Sequence, residues 1–304
     1  MEQYVRVIPY KVIQQEENVK EVPKGVELIQ APKVWSETKG KGIKIAVLDT
    51  GCDISHPDLK DRVTGGRNFT DDDNSDPNSF KDYNGHGTHV AGTIAAYENN
   101  AGVIGVAPEA ELLIVKVLNK DGSGQYEWII KGIHYAIEQN ADIISMSLGG
   151  PADVPELHDA IKAAVNKNIL VVCAAGNEGD GDDSTDEFAY PGCYNEVISV
   201  GAINLERDSS DFTNSHNEID LVAPGTSMAA PHVSGALALI KDFANRQFER
   251  KLSEPELYAQ LIRRTVPLGN SPKLEGNGLV YLTVPDHLAG IFDQELKSTV
   301  LNAI

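Results

Sequence analysis

Between residues 42 and 203 two kinds of apolar pattern alternate along the chain. Short uninterrupted apolar runs at 43–48, 112–117, 143–148, 169–174 and 197–203 read as strands buried on both faces. Segments 128–139 and 156–166, and the small-residue stretch running through 92–96, read as helices. Buried strands separated by helices of about 10 to 15 residues predict an α/β fold with a mostly parallel central sheet covered on both faces, three layers in all. Ligands of such sheets bind beyond the carboxyl ends of the strands. The residues that follow each strand are therefore the ones to search for chemistry.

The two ends depart from this pattern. Tyr4, Val5, Val7 and Ile8 make a short strand-like segment, Pro9 must interrupt any ladder, and 14–21 is charged and linker-like. Residues 1–21 thus form a separate segment whose composition suits a detachable piece. At the other end, residues 284–304 carry Leu288, Ile291, Phe292, Leu296, Val300 and Leu301 at helical spacing, a tail distinct from the domain at 22–283.

Composition narrows the classes of function. With 304 residues and 41% hydrophobic, the chain is long enough to bury one large core. A formal charge of −19 repels phosphate backbones and anionic lipid, so neither nucleic acid nor a membrane surface is expected as a partner. Cys52, Cys173 and Cys193 are odd in number and lack zinc-type spacing, and read as thiols. The N-terminus has no uninterrupted apolar core of a signal peptide, and no stretch of 18 apolar residues occurs. A cytoplasmic location is expected.

Chemistry enters at four places. Ser227 lies in G-T-S-M-A-A-P-H-V-S-G-A, among small residues that leave a hydroxyl accessible, at the expected start of a helix whose N-H groups and dipole favour a reacting oxygen. The same serine could be an ordinary N-cap. Asp49 follows a buried run directly, as a structural turn former or a functional acid. His86 sits between two glycines in N-G-H-G-T-H, with His89 as a core histidine and no H-E-x-x-H zinc motif. Asn177, in G-N-E-G after another strand, is a turn residue or an amide donor for a developing oxyanion. Together they supply an acid, a base, an amide donor and a nucleophile, in an order that excludes the nucleophile-elbow hydrolases.

These blocks resemble the subtilisin-like serine proteases: D-T-G at 49–51, N-G-H-G-T-H-V-A-G-T at 84–93, S-M-S-L-G-G at 145–150, A-A-G-N-E-G at 174–179 and G-T-S-M-A-A-P-H-V at 225–233. The resemblance implies a subtilisin-like fold in which Asp49 orients His86, His86 takes the proton of Ser227, and Asn177 helps to bind the oxyanion. It implies further that Gly122, Ser123 and Gly124 form one strand edge for a protein or peptide substrate and Ser147, Leu148 and Gly149 the other, with Ala189 in the floor of a pocket. Recognition by strand addition reads backbone before side chains, so broad specificity is expected.

By the same resemblance, Asp58 and Asn99 with the carbonyls of Tyr97, Ala101 and Val103 are similar to a Ca²⁺ loop, and oxygen donors on an irregular loop suit that ion. Gly192, Tyr194 and Val197 resemble a second cation loop. The segment Val7, Ile8, Pro9 and Tyr10 is similar to the short leader of the intracellular subtilisins, which lies across the cleft until it is cut off. That branch is dimeric, so a homodimer through the tail is implied. One feature departs from the family: a hairpin of roughly 17 residues that ordinarily precedes the nucleophile block is missing before Thr226, a length that loop-size rules alone would not flag. The resemblance therefore implies an intracellular serine endopeptidase. The departure raises the alternative of a peptide-binding protein that does not cut.

Overall fold

The computed structural model describes residues 4–7, 21–99, 102–225 and 227–285. Strands, in chain order, are β1 Tyr4–Val7, β2 Lys44–Asp49, β3 Val63–Asn68, β4 Glu111–Lys116, β5 Ser123–Gln125, β6 Ile143–Met146, β7 Leu148–Gly149, β8 Leu170–Ala174, β9 Ile198–Ile203, β10 Leu221–Pro224, β11 Thr265–Val266 and β12 Leu279–Val280. Helices are α1 Lys24–Leu28, α2 Ala31–Val34, α3 His86–Ala95, α4 Tyr126–Glu138, α5 Pro155–Val165, α6 Ala229–Gln247, α7 Glu254–Ile262 and α8 Pro272–Glu275. The tail residues from Leu288 onward lie outside the described residues, as do Ile8, Pro9 and Tyr10.

Nine strands form one sheet in the order β11-β12-β10-β9-β8-β6-β2-β4-β3, parallel at every pairing except β11 with β12. The side-chain period of two divides each central strand between two cores. Ile45, Val47, Leu112 and Ile114 join Val90 and Ile94 of α3 and Val233 and Leu237 of α6 on one face. Ala46, Leu48, Leu113 and Val115 join Ile129 and Ile133 of α4 and Leu157 and Ile161 of α5 on the other. Both faces of the sheet are thus apolar, which is why its strands read as continuous runs rather than as alternation.

Between residues 42 and 203 the expected strands and helices are present within one or two residues of their expected limits, with two differences. The run at 143–148 is broken at Ser147 into β6 and β7, and β7 leaves the large sheet to pair elsewhere. β3, V-T-G-G-R-N, carries no apolar run because it is an edge strand that pairs with β4 alone and is only partly buried.

Two buried histidines make the stability of this fold depend on pH. His216 accepts a hydrogen bond from the Glu218 N-H at 3.1 Å through Nδ1, and His232 donates from Nδ1 to the Met228 carbonyl at 2.6 Å. Burial lowers both imidazoles to a pKa of about 4, against about 6.5 in an unfolded chain. Above pH 6.5 both forms are neutral and the full stability is present. As pH falls from 6.5 towards 4 the unfolded chain takes up protons that the folded one does not, and stability is lost. The thermal midpoint should fall through that window, and His216→Gln should flatten part of the slope; an unaltered slope in scanning calorimetry would remove His216 from this role.

Candidate active site

The chemistry gathers at the carboxyl ends of the parallel strands. Asp49 is the last residue of β2 and is buried. Its Oδ1 accepts the Thr50 N-H at 2.7 Å and lies 2.7 Å from His86 Nδ1. A carboxylate accepts, so Nδ1 carries the proton and Nε2 is left as the nitrogen that can take another. His86 opens α3, and the chain enters that helix through Gly85 at φ 96. Gly87 must lack a side chain, because a Cβ there would run into the Gly51 carbonyl and approach Asp49 Oδ1 at 3.2 Å.

Asp82 ties the two partners together. Its Oδ1 accepts from Thr50 Oγ1 at 2.9 Å, Asn84 N at 3.0 Å and Gly85 N at 2.8 Å, and its Oδ2 accepts from Thr88 N at 2.9 Å and Thr88 Oγ1 at 2.7 Å. Thr50 Oγ1 in turn accepts the Gly87 N-H at 2.9 Å. Burial pushes the Asp82 carboxyl up, but the hydrogen bonds from Thr88, Gly85 and Thr50 outweigh it and hold the pKa below that of an ordinary aspartate. The residue after the acid and the residues flanking the base are therefore fixed on one carboxylate. Lys116, fully buried at the end of β4, adds a bond from Nζ to the Thr50 carbonyl at 2.5 Å and a salt bridge to Asp72 at 3.0 Å. Neither Asp82 nor Lys116 was singled out from sequence. The available signals were an aspartate four residues before His86 and a lysine closing an apolar strand.

Ser227 lies three residues beyond β10, with 2% of its surface exposed. The expected helix begins at Ala229 rather than at the serine, so Ser227 precedes the first turn. Gly225, at φ 83, turns the chain out of β10, and residue 226 lies outside the described residues. α6 packs against α3, and Thr93 Oγ1 of α3 donates to Met228 Sδ at 3.2 Å, which brings the serine segment beside the histidine helix. Asn177 lies three residues beyond β8, partly exposed, after Gly176 at φ 120.

The two expected substrate edges are brought together in a second, small sheet. β1 lies between β5 and β7, antiparallel to both, with Val5 opposite Gly124, Arg6 opposite Ser123 and Gly149, and Val7 opposite Leu148. The Val7 N-H donates to the Gly122 carbonyl at 2.9 Å. Val5 is fully buried in a cluster with Leu118, Tyr126 and Leu148. Ala189 is buried, and a Cβ on Gly149 would meet its Cβ at 3.2 Å, so Ala189 underlies the β7 edge. Ser147 is buried between β6 and β7.

Of the expected Ca²⁺ loop, Ala101 lies outside the described residues. Asp58 is buried; its Oδ1 accepts from Asn99 Nδ2 at 2.7 Å and its Oδ2 from the Val103 N-H at 3.0 Å. Among the described residues no lysine or arginine pairs with this carboxylate, and no cluster of three or more His, Cys, Asp or Glu side chains is arranged around a metal position. Among the described residues this buried carboxylate is met by two amide N-H groups and no cationic side chain, and as a hard oxygen donor it fits a hard cation. Gly192, Tyr194 and Val197 lie on the turn before β9, where the Tyr194 carbonyl accepts the Val197 N-H at 3.2 Å and the Tyr194 hydroxyl donates to Asp153 at 2.8 Å.

The chain is similar to known proteins over most of its length. The model of the subtilase family matches residues 40–281. An intracellular serine protease of Paenibacillus polymyxa is 68% identical over 319 residues, covering 99% of this chain and 98% of that protein. The major intracellular serine protease of Bacillus subtilis is 60% identical over 304 residues, covering 94% and 95%, and subtilisin E of B. subtilis is 43% identical over 286 residues, covering 87% and 71%. The family match over most of the length and the identity to these relatives show that the chain belongs to the subtilase family.

Proposed function

We propose that the protein is an intracellular serine endopeptidase of the subtilisin type, made with an N-terminal leader that blocks its own cleft. The observation that carries the catalytic reading is the buried 2.7 Å contact between Asp49 and His86, on the helix against which the Ser227 segment packs. In this reading His86 Nε2 takes the Ser227 hydroxyl proton as Oγ attacks the substrate carbonyl carbon. The carbonyl oxygen becomes an oxyanion held by the Asn177 amide and the Ser227 N-H. The C–N bond then breaks with the proton passing from His86 to the leaving amine, and water releases the acyl group by the same steps in reverse. The names of the Paenibacillus and Bacillus relatives support an intracellular setting, and among the described residues no helix is long and apolar enough to cross a membrane.

A peptide-binding protein without turnover is the reading raised by the short connection before Ser227. High identity over nearly the full length to proteins named as proteases disfavours it. A fluorophosphonate probe followed by intact mass decides between them. One adduct on Ser227, absent in Ser227→Ala together with peptide turnover, is expected; a protein that binds peptides but takes no adduct would reverse the conclusion.

Strand addition at β5 and β7 supports broad specificity, since main-chain bonds such as Val7 N-H to the Gly122 carbonyl recur with any sequence. The place of β1 between those edges supports inhibition by the leader: a substrate strand and β1 would compete for the same donors and acceptors. Removing residues 1–21 should raise kcat/KM at least about tenfold, and a synthetic peptide of residues 1–10 should then inhibit competitively. Equal activity with and without the leader would sink this part of the proposal. The helical spacing of apolar residues in the tail supports a homodimer built through it.

For the cation we propose Ca²⁺, held by Asp58 and Asn99 with the carbonyls of Tyr97, Ala101 and Val103; Gly192, Tyr194 and Val197 stand as a second, weaker loop. Such an ion would tie the loop after α3 to the Asp58 turn and enter no chemical step. Chelation should lower the thermal midpoint, by the linkage of binding to folding, and Asp58→Asn should remove the sensitivity. A midpoint indifferent to chelator and to added Ca²⁺ would argue against the site.

A further inference from the structure

We propose that Asn214 is a positioning residue for the oxyanion donor Asn177, acting through Glu178; the proposal rests on the catalytic reading above. After β8 the chain turns through Gly176, Asn177, Glu178 and Gly179, and the segment 212–214 runs alongside. The Gly179 N-H donates to the Phe212 carbonyl at 3.0 Å and the Asn214 N-H to the Gly176 carbonyl at 3.3 Å. The carboxamide of Asn214, fully buried, then uses both its ends on one residue. Its Oδ1 accepts the Glu178 N-H at 2.6 Å and its Nδ2 donates to Glu178 Oε2 at 3.1 Å. That same Oε2 accepts the backbone N-H of Asn177 at 3.0 Å.

The consequence is geometric. The peptide before Asn177 is held through its N-H by the Glu178 carboxylate, and the peptide after it is held through the Glu178 N-H by Asn214. Both planes flanking the Asn177 Cα are fixed, so the direction in which its side chain leaves the backbone is fixed as well. Glu178 is itself exposed, and a solvated carboxylate alone would hold nothing firmly. The buried amide behind it supplies the restraint that solvent cannot compete with. Gly176 is part of the same device, because a Cβ there would fall against Asn214 Nδ2 and lie 2.6 Å from Glu178 Oε2. An oxyanion donor works only within a few tenths of an ångström of its place, and a shift of about 1 Å costs on the order of 10²-fold in rate.

The test is a double-mutant cycle on the full chain. Asn214→Asp preserves size and the acceptor for the Glu178 N-H but replaces the Nδ2 donor with a carboxylate facing a carboxylate. We expect kcat on a peptide amide to fall by about 10- to 100-fold with KM within about twofold. Asn177→Ala should cost about 10²- to 10³-fold, the range established for the oxyanion asparagine of subtilisins, and Asn214→Asp should then add less than about twofold. If Asn214→Asp lowers kcat equally with and without Asn177, or moves only the thermal midpoint, Asn214 is structural and the proposal fails. Should Asn214→Asp not fold, Glu178→Ala, a change at an exposed side chain, runs the same cycle with the same two outcomes. A kcat unaffected by Asn177→Ala would overturn the oxyanion role and this proposal with it; turnover retained in Ser227→Ala would overturn the catalytic reading itself.

Discussion

A carboxylate at the end of a strand buried on both faces is the constraint from which the rest of this site follows. Left alone, an ionised Asp49 would cost several kcal/mol in such surroundings. Its Oδ1 accepts the Thr50 N-H and faces the His86 ring, which orients that ring and settles its tautomer, while Oδ2 is buried without a hydrogen-bond partner. The arrangement is stable only if the loop that delivers His86 cannot drift. Asp82 prevents drift by gathering Thr50 from one side and Asn84, Gly85 and Thr88 from the other. Removing its charge would loosen acid and base together, since both are referred to the same two oxygen atoms.

The second constraint is that strand edges need partners. β5 and β7 belong to no other sheet, and their main-chain groups face each other across the width of one strand. That gap is a binding site for extended chain before any side chain is considered. β1 fills it with alternating burial, Val5 inward and Arg6 outward, as a substrate strand would. β1 and any extended segment that took its place would obey the same local rules, and the buried cluster around Val5 is where a side-chain preference would be felt.

What could be read from the sequence follows from the range of the interactions involved. The central strands were legible because burial on both faces writes itself into consecutive residues; β3 was not, because an edge strand needs no such run. Asp49, His86, Asn177 and Ser227 stood out since each sits at a strand end or between glycines, a local signal. The start of α6 was misplaced by two residues, a matter of turn geometry that composition does not encode. Asp82, Lys116 and Asn214 were invisible for a different reason. Thr50 lies 32 residues from Asp82 and 66 from Lys116, and Glu178 lies 36 from Asn214, so the local sequence does not show what these side chains hold.

The short connection before Ser227 is best understood from the helix that follows it. Every residue from 229 to 241 in α6 is buried, packed on the sheet and against α3, and Ser234 Oγ donates to Ser145 Oγ of β6 at 2.8 Å. A helix so completely enclosed has no freedom to slide, and its first residues carry Ser227 with them. β10 is equally fixed, between β9 and β12. Gly225, in the left-handed region, turns the chain out of β10. The chain on both sides of the serine segment is thus held by packed elements, and those elements set where the nucleophile can lie.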